Sequence, residues 1–131
     1  MFFWRNFLRY YFLQYSFFQD HVSDSDDIPW YSPPGWKGVF LKDLIGDTQT
    51  NGKFSYHLVR VQENCEVPLH SHDSQYEWNV ILGGNGIFTL DNRDFPITKG
   101  QTFVTPPGVT HIVRAGNRDL VLLAMFVPSL E

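Results

Sequence analysis

From residue 39 onward, hydrophobic and polar positions alternate in short segments, and the apolar positions favour Val, Ile, Leu and Phe. This alternation is typical of strands that have one buried face. Turn pairs such as Asn51-Gly52 and Asp91-Asn92 separate neighbouring segments, and pairs of this kind favour hairpins. The pattern predicts about eight to ten short strands in an all-β barrel or sandwich. Those that can be placed are 39–45, 53–63, 76–82, 86–90, 94–98, 101–105, 111–115 and 119–127.

The segment 53–63 alternates but leaves its inward face undecided. Phe54 and Leu58 lie on one face of this predicted strand, and His57 and Val59 lie on the other. Both faces carry apolar residues, so alternation does not decide which of them is turned inward. If the second face is inside, His57 lines the interior cavity, and we therefore treat it as a candidate pocket residue.

Residues 1–19 have a different pattern, in which polar residues fall in one narrow sector when the segment is wound as a helix. The rest of the circumference is aromatic or Leu, with Gln14 the exception. We expect an aromatic helical or extended arm. Two environments are open for it: packing on the barrel or on a partner subunit in a homodimer, and association with a membrane interface. Arg5 and Arg9 lie within the segment, which disfavours a membrane-spanning helix.

Residues 20–38 are acidic at first and then rich in Pro and Gly, which is typical of a linker without regular structure. The predicted organisation is an N-terminal arm at 1–19, a linker leading into the barrel at 20–38, and a barrel domain at 39–131. The aromatic residues of the linker are expected to cover one end of the barrel or line its mouth. They are Trp30, Tyr31 and Trp36.

Composition narrows the classes of function. Hydrophobic residues make up 43% of the 131 positions, which suits one domain with a substantial core. The net charge is −4 at pH 7, so a basic nucleic-acid-binding surface is not indicated. Cys65 is the single cysteine, which excludes an intramolecular disulfide. A secretory signal needs small residues after its apolar segment, and polar and acidic residues follow here instead, so we expect a cytoplasmic protein.

The candidate chemistry lies in two stretches of the barrel domain. His70 and His72 are one residue apart, so they share a face if the chain there is extended. Glu77 follows after a polar turn, and the rigid turn Pro106-Pro107-Gly108 precedes His111. Three imidazoles and one carboxylate suit a divalent first-row metal, namely iron, manganese, nickel, copper or zinc.

These two stretches resemble the motifs of the cupin superfamily. The first reads Asn64-x5-His70-x-His72-x4-Glu77-x6-Gly84, and the second reads Gly100-x5-Pro106-x-Gly108-x2-His111-x3-Ala115. The superfamily patterns are G-x5-H-x-H-x3-4-E-x6-G and G-x5-P-x-G-x2-H-x3-N. Asn64 and Ala115 depart from them, but neither departure removes a ligand. Asn tolerates left-handed backbone, so Asn64 is expected to keep the turn. The resemblance covers about residues 39–127 and implies a small single-domain barrel of the jelly-roll type.

The resemblance says more about fold and metal than about reaction, because one fold hosts many chemistries. We expect a metal-dependent enzyme that acts on a small molecule, as an oxygenase or as a lyase or isomerase. The alternative is a non-catalytic ligand-binding or sensor protein. Glu77 would balance the charge of the metal and act as a catalytic base. The expected substrate pocket is formed by residues near the ligands, namely Asn79, Ile81, Phe103, Val113, His57 and Gln75, with Phe126 as a further wall.

Overall fold

Antiparallel strands make up most of the chain in a computed structural model, which describes residues 15–18 and 21–130. The strands are β1 (Tyr15–Phe18), β2 (His21–Asp24), β3 (Val39–Ile45), β4 (Ser55–Val61), β5 (Glu66–His70), β6 (Tyr76–Gly83), β7 (Asn85–Leu90), β8 (Arg93–Thr98), β9 (Thr102–Thr105), β10 (His111–Ala115) and β11 (Leu120–Val127). Short 3-10 helices occupy Ser25–Asp27 and Asp47–Gln49. Every strand predicted from residue 39 onward is confirmed, with small shifts at the ends.

Two facing sheets form the barrel. The larger sheet has the strand order β3-β4-β11-β6-β9, and the smaller has the order β5-β10-β7-β8. Strands β5, β6 and β7 follow one another in the chain but alternate between the two sheets. The chain therefore crosses repeatedly from sheet to sheet, as in a jelly roll. The crossing from β5 to β6 is the one that sets residues 70 and 77 on opposite walls of the interior.

The main core lies between the two sheets. Val67, Phe88 and Val113 of the smaller sheet pack in the same buried cluster as Ile81 and Leu122 of the larger sheet. Their alternate positions along each strand follow the period of two that the sequence shows. An apolar interior of this size stabilises the barrel without any help from a ligand.

A second cluster covers the outer face of the larger sheet. Leu58 of β4 and Leu123 of β11 are buried there with Leu44 and Val121, and Ile28 and Trp30 pack against them. Because both faces of β11 are covered, its sequence is a continuous apolar run. On β4, Leu58 faces this outer cluster and Val59 faces the main core. This second layer explains why alternation alone did not decide the inward face of 53–63.

Tight turns adopt the left-handed backbone that their sequences favour. Asn51 and Gly52 have φ of 54° and 78°, and Asp91 and Asn92 have φ of 49° and 63°. Both pairs connect antiparallel neighbours, β3 with β4 and β7 with β8. Asn64 has φ of 60°, so the expectation that Asn keeps this turn is confirmed.

The N-terminal part differs from the expectation. Residues 15–18 form β1, which pairs with β2, so the helical form of the arm is wrong for this part and the extended form is correct. Residues 1–14 and 19–20 lie outside the described residues. The linker is also more regular than predicted, since it holds β2 and a 3-10 helix whose first turn is capped by the Asp24 carboxylate. Within 15–18 and 21–130, no helix is long and apolar enough to cross a membrane.

Candidate metal centre

His70 and His111 meet across a strand pair. His70 is the last residue of β5, His111 is the first residue of β10, and the two are direct partners in the antiparallel register. Their ring centroids are 4.1 Å apart. The register shifts between His111 and Val113, and such irregularities re-aim side chains at functional sites. Strand pairing therefore brings the histidines of the two sequence motifs together on one wall.

His72 lies just beyond β5, in the loop that crosses to the larger sheet. Its carbonyl accepts a hydrogen bond from the backbone nitrogen of Gly108 at 2.7 Å, which ties this loop to the Pro-Pro-Gly turn before His111. Its ring stands edge-on to Phe126, with centroids 5.0 Å apart. The two motifs are thus joined by a backbone hydrogen bond as well as by the paired strands.

Glu77 approaches the three histidines from the opposite sheet. It lies on β6, and its carboxylate Oε1 is 3.1 Å from Nε2 of His72 and 3.5 Å from Nε2 of His111. Neither nitrogen makes a hydrogen bond of acceptable geometry in this arrangement. Glu77 and His111 are both buried, at 8% and 1% exposure. Buried imidazole nitrogens without hydrogen bonds are costly unless another group binds them.

Hydrogen bonds at the far ring nitrogens orient two of the histidines. Nδ1 of His70 lies 2.7 Å from the Pro68 carbonyl oxygen, and Nδ1 of His111 lies 3.1 Å from that of Val109. A carbonyl oxygen only accepts, so each Nδ1 carries the hydrogen and donates it. In a neutral ring this leaves the lone pair on Nε2. The Nε2 atoms of both rings are therefore available as ligands, as metal-binding histidines require.

The local charges favour an ionised Glu77. Burial acts to raise the pKa of Glu77, but its contacts with His111 and His72 outweigh burial and hold that pKa at about 2. Burial alone would lower the pKa of His111, and the neighbouring Glu77 carboxylate raises it overall. Burial lowers the pKa of His70, assisted by the adjacent His111 and His72. The cluster therefore presents one carboxylate to its histidines in neutral solution.

The four side chains fit a single metal ion. One ligand atom from each of His70, His72, Glu77 and His111 lies within 4.8 Å of all the others. First-row ions hold such atoms at about 2.0–2.3 Å, so small side-chain rotations bring all four into range. Three imidazole nitrogens and one carboxylate oxygen suit Fe, Mn, Ni, Cu or Zn. The cluster indicates divalent-metal binding and does not select one of these ions.

A small apolar cavity opens beside the cluster. Its volume is about 60 Å³, enough for a ligand of a few non-hydrogen atoms. Trp36 closes one side, with its ring centroid 5.1 Å from that of His70. Of the three linker aromatics expected at the mouth, Trp36 lines the cavity, whereas Trp30 packs against the outer face of the larger sheet. Besides the four cluster residues, the lining consists of Trp36, Leu41, Val59, Val67, Val113, Leu122, Ala124, Phe126 and Leu130.

Two of the expected walls line this cavity, namely Val113 and Phe126. Ile81 is buried in the main core, and Phe103 stacks on Phe88 with centroids 4.1 Å apart. Asn79 is fully buried on β6. None of these three residues belongs to the cavity lining.

The side chains of His57 and Gln75 make hydrogen bonds to residues outside the cluster. His57 lies on the inward face of β4, but its Nδ1 is 2.7 Å from Oδ1 of Asp43 and its Nε2 is 2.8 Å from Oγ of Ser55. Gln75 donates from Nε2 to the carbonyl of Ser129 at 3.3 Å. Both side chains are held by these hydrogen bonds, and neither lines the cavity.

The contribution of the C-terminal residues to the site was not predicted from the sequence. Leu130 lines the cavity, and its backbone nitrogen donates to Oγ of Ser55 at 2.9 Å. The backbone nitrogen of Ser129 donates to the Gly52 carbonyl at 3.2 Å, and its hydroxyl bonds to Asp47. These hydrogen-bond partners are distant in the sequence, so no local sequence pattern predicts the contacts.

The fold and this cluster together define a cupin with a metal-binding type of site. A profile described as the cupin domain matches residues 57–126. The chain therefore belongs to the cupin family.

Two curated proteins illustrate the sequence similarity. The "Oxalate-binding protein" of Thermotoga maritima is 34% identical over 70 residues, which are 53% of this chain and 58% of that protein. An uncharacterized protein of Methanocaldococcus jannaschii is 41% identical over 93 residues, or 70% of this chain and 74% of its own. The match with the oxalate-binding protein thus spans less than two thirds of that protein's length.

Solved structures show the same fold. A predicted oxalate decarboxylase from Thermotoga maritima superposes with a TM-score of 0.75 at 26% identity, covering 82% of this chain and 99% of its own. An RmlC-like cupin from Shewanella frigidimarina gives a TM-score of 0.73 at 20% identity, covering 90% of this chain and 96% of its own. The second likeness concerns the fold alone.

Proposed function

We propose that this chain is a metal-dependent cupin that takes a small oxygen-bearing acid in the cavity between its sheets. His70, His72, Glu77 and His111 would hold the metal. One observation carries the proposal: four potential ligand atoms, all within 4.8 Å of one another, lie in the wall of a cavity that is otherwise apolar. A bound divalent ion would supply Lewis-acid chemistry there and, if redox-active, oxygen chemistry.

Charge favours an anionic ligand. Three neutral imidazoles and one carboxylate leave a divalent centre with a net charge of about +1. The described lining contains no Lys or Arg, so the metal would be the cation that anchors an acid. Apolar walls strengthen that attraction, because a low dielectric screens it little. A small acid with two neighbouring oxygens is thus the ligand class that the site favours.

The named relatives agree with this ligand class. One is called an oxalate-binding protein and another a predicted oxalate decarboxylase. Oxalate is a small acid with two adjacent carboxylates. We therefore take oxalate as the first acid to test.

An enzyme would have to rely on Glu77 for proton transfer. Among the described residues that line the cavity, no acid or base is present besides the four cluster residues. Glu77 would then act both as a ligand and as the base, with its proton exchanged at a carboxylate oxygen. A lyase or isomerase reaction, or an oxygenase reaction with a redox-active ion, remains the proposed activity.

The second candidate is a non-catalytic ligand-binding or sensor cupin. The same lack of a separate acid or base in the described lining favours it. In this case the acid would bind to the metal and be released unchanged, and its binding would stabilise the folded chain.

The experiment compares metal-free protein with protein loaded separately with each candidate ion. Melting temperature is recorded with oxalate, with malonate and with acetate, and the wild type is matched by His111→Ala. We expect oxalate to raise the melting temperature of a loaded wild type and to leave the metal-free protein and the variant unchanged. Loss of the acid or uptake of oxygen would support the enzyme, and binding without turnover would support the sensor. No stabilisation by any acid with any ion would contradict the proposal.

A further inference from the structure

Two buried polar side chains beside Glu77 have no hydrogen-bond partner in the described part of the chain. Asn79 is 0% exposed and Thr105 is 1% exposed. Neither Nδ2 nor Oδ1 of Asn79, nor Oγ1 of Thr105, has a hydrogen-bond partner among the described residues. Unpaired buried polar atoms destabilise a fold unless something else pairs with them. Their burial without a hydrogen-bond partner therefore requires an explanation.

Both side chains flank Glu77 on the inner face of the larger sheet. Thr105 of β9 is the direct cross-strand partner of Glu77 on β6. Direct partners in an antiparallel pair point to the same face, with Cβ atoms about 4.5–5.5 Å apart. Asn79 is two residues further along β6, so it shares that face as well. Its cross-strand partner on β11 is Ala124.

The Glu77 carboxylate is the group that would need hydrogen-bond donors once a metal is bound. The polar contacts that the described residues give its carboxylate are with Nε2 of His72 and Nε2 of His111. Those nitrogens are the atoms that would bind the metal. A histidine Nε2 atom that binds a metal through its lone pair carries no hydrogen, so it cannot donate a hydrogen bond to the carboxylate. Carboxylates that ligate metals are held by hydrogen bonds from surrounding groups, and Glu77 would have to find such donors elsewhere.

We propose that Thr105 Oγ1 and Asn79 Nδ2 donate hydrogen bonds to the Glu77 carboxylate in the metal-loaded protein. They are positioning residues, and they fix which oxygen of Glu77 faces the metal. This inference rests on the proposed metal centre. It also explains why the inner face of β6 carries two polar residues, although packing alone would place apolar residues there.

The proposal predicts effects of opposite sign with and without metal. In the metal-free protein the Thr105 hydroxyl is buried without a partner, so Thr105→Val should raise the melting temperature. In the metal-loaded protein the same change removes a donor to Glu77, so the metal should bind about 10- to 100-fold more weakly. A residue that only packed would give no such reversal, because valine and threonine have nearly the same shape.

The experiment measures both quantities in the full chain with Co²⁺ as the probe. Affinity comes from a titration followed by the visible absorption of the bound ion, and stability comes from the melting temperature of the metal-free protein. Thr105→Ser keeps the hydroxyl and should retain an affinity within about threefold of wild type. Asn79→Leu should weaken Co²⁺ binding and alter the absorption spectrum. Thr48→Val, at an exposed position, should change neither quantity.

The outcomes separate this inference from the metal centre itself. If the wild type binds one Co²⁺ but Thr105→Val binds it equally well with the same spectrum, the positioning role is overturned and the metal centre stands. A Thr105→Val protein that is less stable without metal, or that does not fold, also overturns the role. If the wild type binds no Co²⁺, the proposed metal centre fails and the positioning role fails with it.

Discussion

Asp43 and His57 are cross-strand partners on β3 and β4, and their side chains are joined at 2.7 Å between Oδ1 and Nδ1. The other ring nitrogen of His57 lies 2.8 Å from Oγ of Ser55, which in turn accepts the backbone nitrogen of Leu130. Leu130 lines the cavity. A series of hydrogen bonds thus runs from Asp43 on the edge strand β3, through His57 and Ser55, to the C-terminal residues at the site.

Ser55→Ala should show how much the hydrogen bonds of Ser55 contribute to the free energy of unfolding. The substitution leaves a His57 nitrogen and the Leu130 backbone nitrogen without partners, and Ser55 is fully buried. We expect a loss of about 1–3 kcal/mol in the free energy of unfolding, measured by urea denaturation. Ser74→Ala, at an exposed position, serves as the control and should stay within about 0.5 kcal/mol of wild type. Equal stability of the two variants would show that the series of hydrogen bonds contributes little.

His111→Ala should separate metal binding from folding. The core between the sheets is apolar and extensive, so the variant should keep its β-sheet circular dichroism while binding Zn²⁺ or Co²⁺ at least about tenfold more weakly. Some decrease in melting temperature is expected, since bound metal stabilises the folded state by linkage. If the variant, or the wild type with a chelator, unfolds at room temperature, the metal is structural and the enzyme proposal loses its support.

Glu77 should make the stability of the metal-free protein depend on acid pH. Its pKa is held at about 2 in the fold, against an ordinary value of 4.5. The folded state therefore favours the ionised form, so the stabilising contribution is complete above pH 4.5 and is lost as the pH falls toward 2. The urea midpoints of wild type and Glu77→Gln should differ fully above about pH 4.5 and converge as the solution is acidified toward pH 2. A difference that is independent of pH would contradict the depressed pKa.

The N-terminal arm should mediate assembly. Tyr15 and Phe17 of β1 are 57% and 72% exposed in the single chain, and exposed aromatic residues of this kind favour burial against a partner. We predict a two-fold dimer that deletion of residues 1–19, or Phe17→Asp alone, converts to monomer or aggregate. Light scattering after size-exclusion chromatography measures the mass. Soluble dimers of the truncated protein would show that the arm is not the interface, and binding of the intact protein to lipid vesicles would favour the membrane alternative.

Local sequence patterns predicted most of the fold. The strands show an alternation of apolar and polar residues, and the hairpins contain residues that favour turns. The strands β3 and β10 begin and end where the alternation begins and ends, and Asn51-Gly52 closes a hairpin as expected. The arm was harder to predict, since aromatic residues with a sparse polar stripe suit a helix and a strand alike. At 15–18, pairing with β2 decides for the strand.

The spacing of His70, His72, Glu77 and His111 predicted that they bind one metal ion. In the structure, the pairing of β10 with β5 places His111 directly opposite His70. The cavity walls were less predictable. Leu130 reaches the site through tertiary hydrogen bonds, and Thr105 stands beside Glu77 only because β9 pairs with β6. Long-range pairing of this kind has no local counterpart in the sequence.

The central claim is that one metal ion is held by four named side chains. Crystals grown from metal-loaded protein, with diffraction data collected at the absorption edge of that metal, test it most directly. We predict one strong anomalous peak within about 2.0–2.5 Å of Nε2 of His70, His72 and His111 and of a Glu77 carboxylate oxygen. An anomalous map with no peak between these side chains, or with its peak elsewhere, would contradict the account.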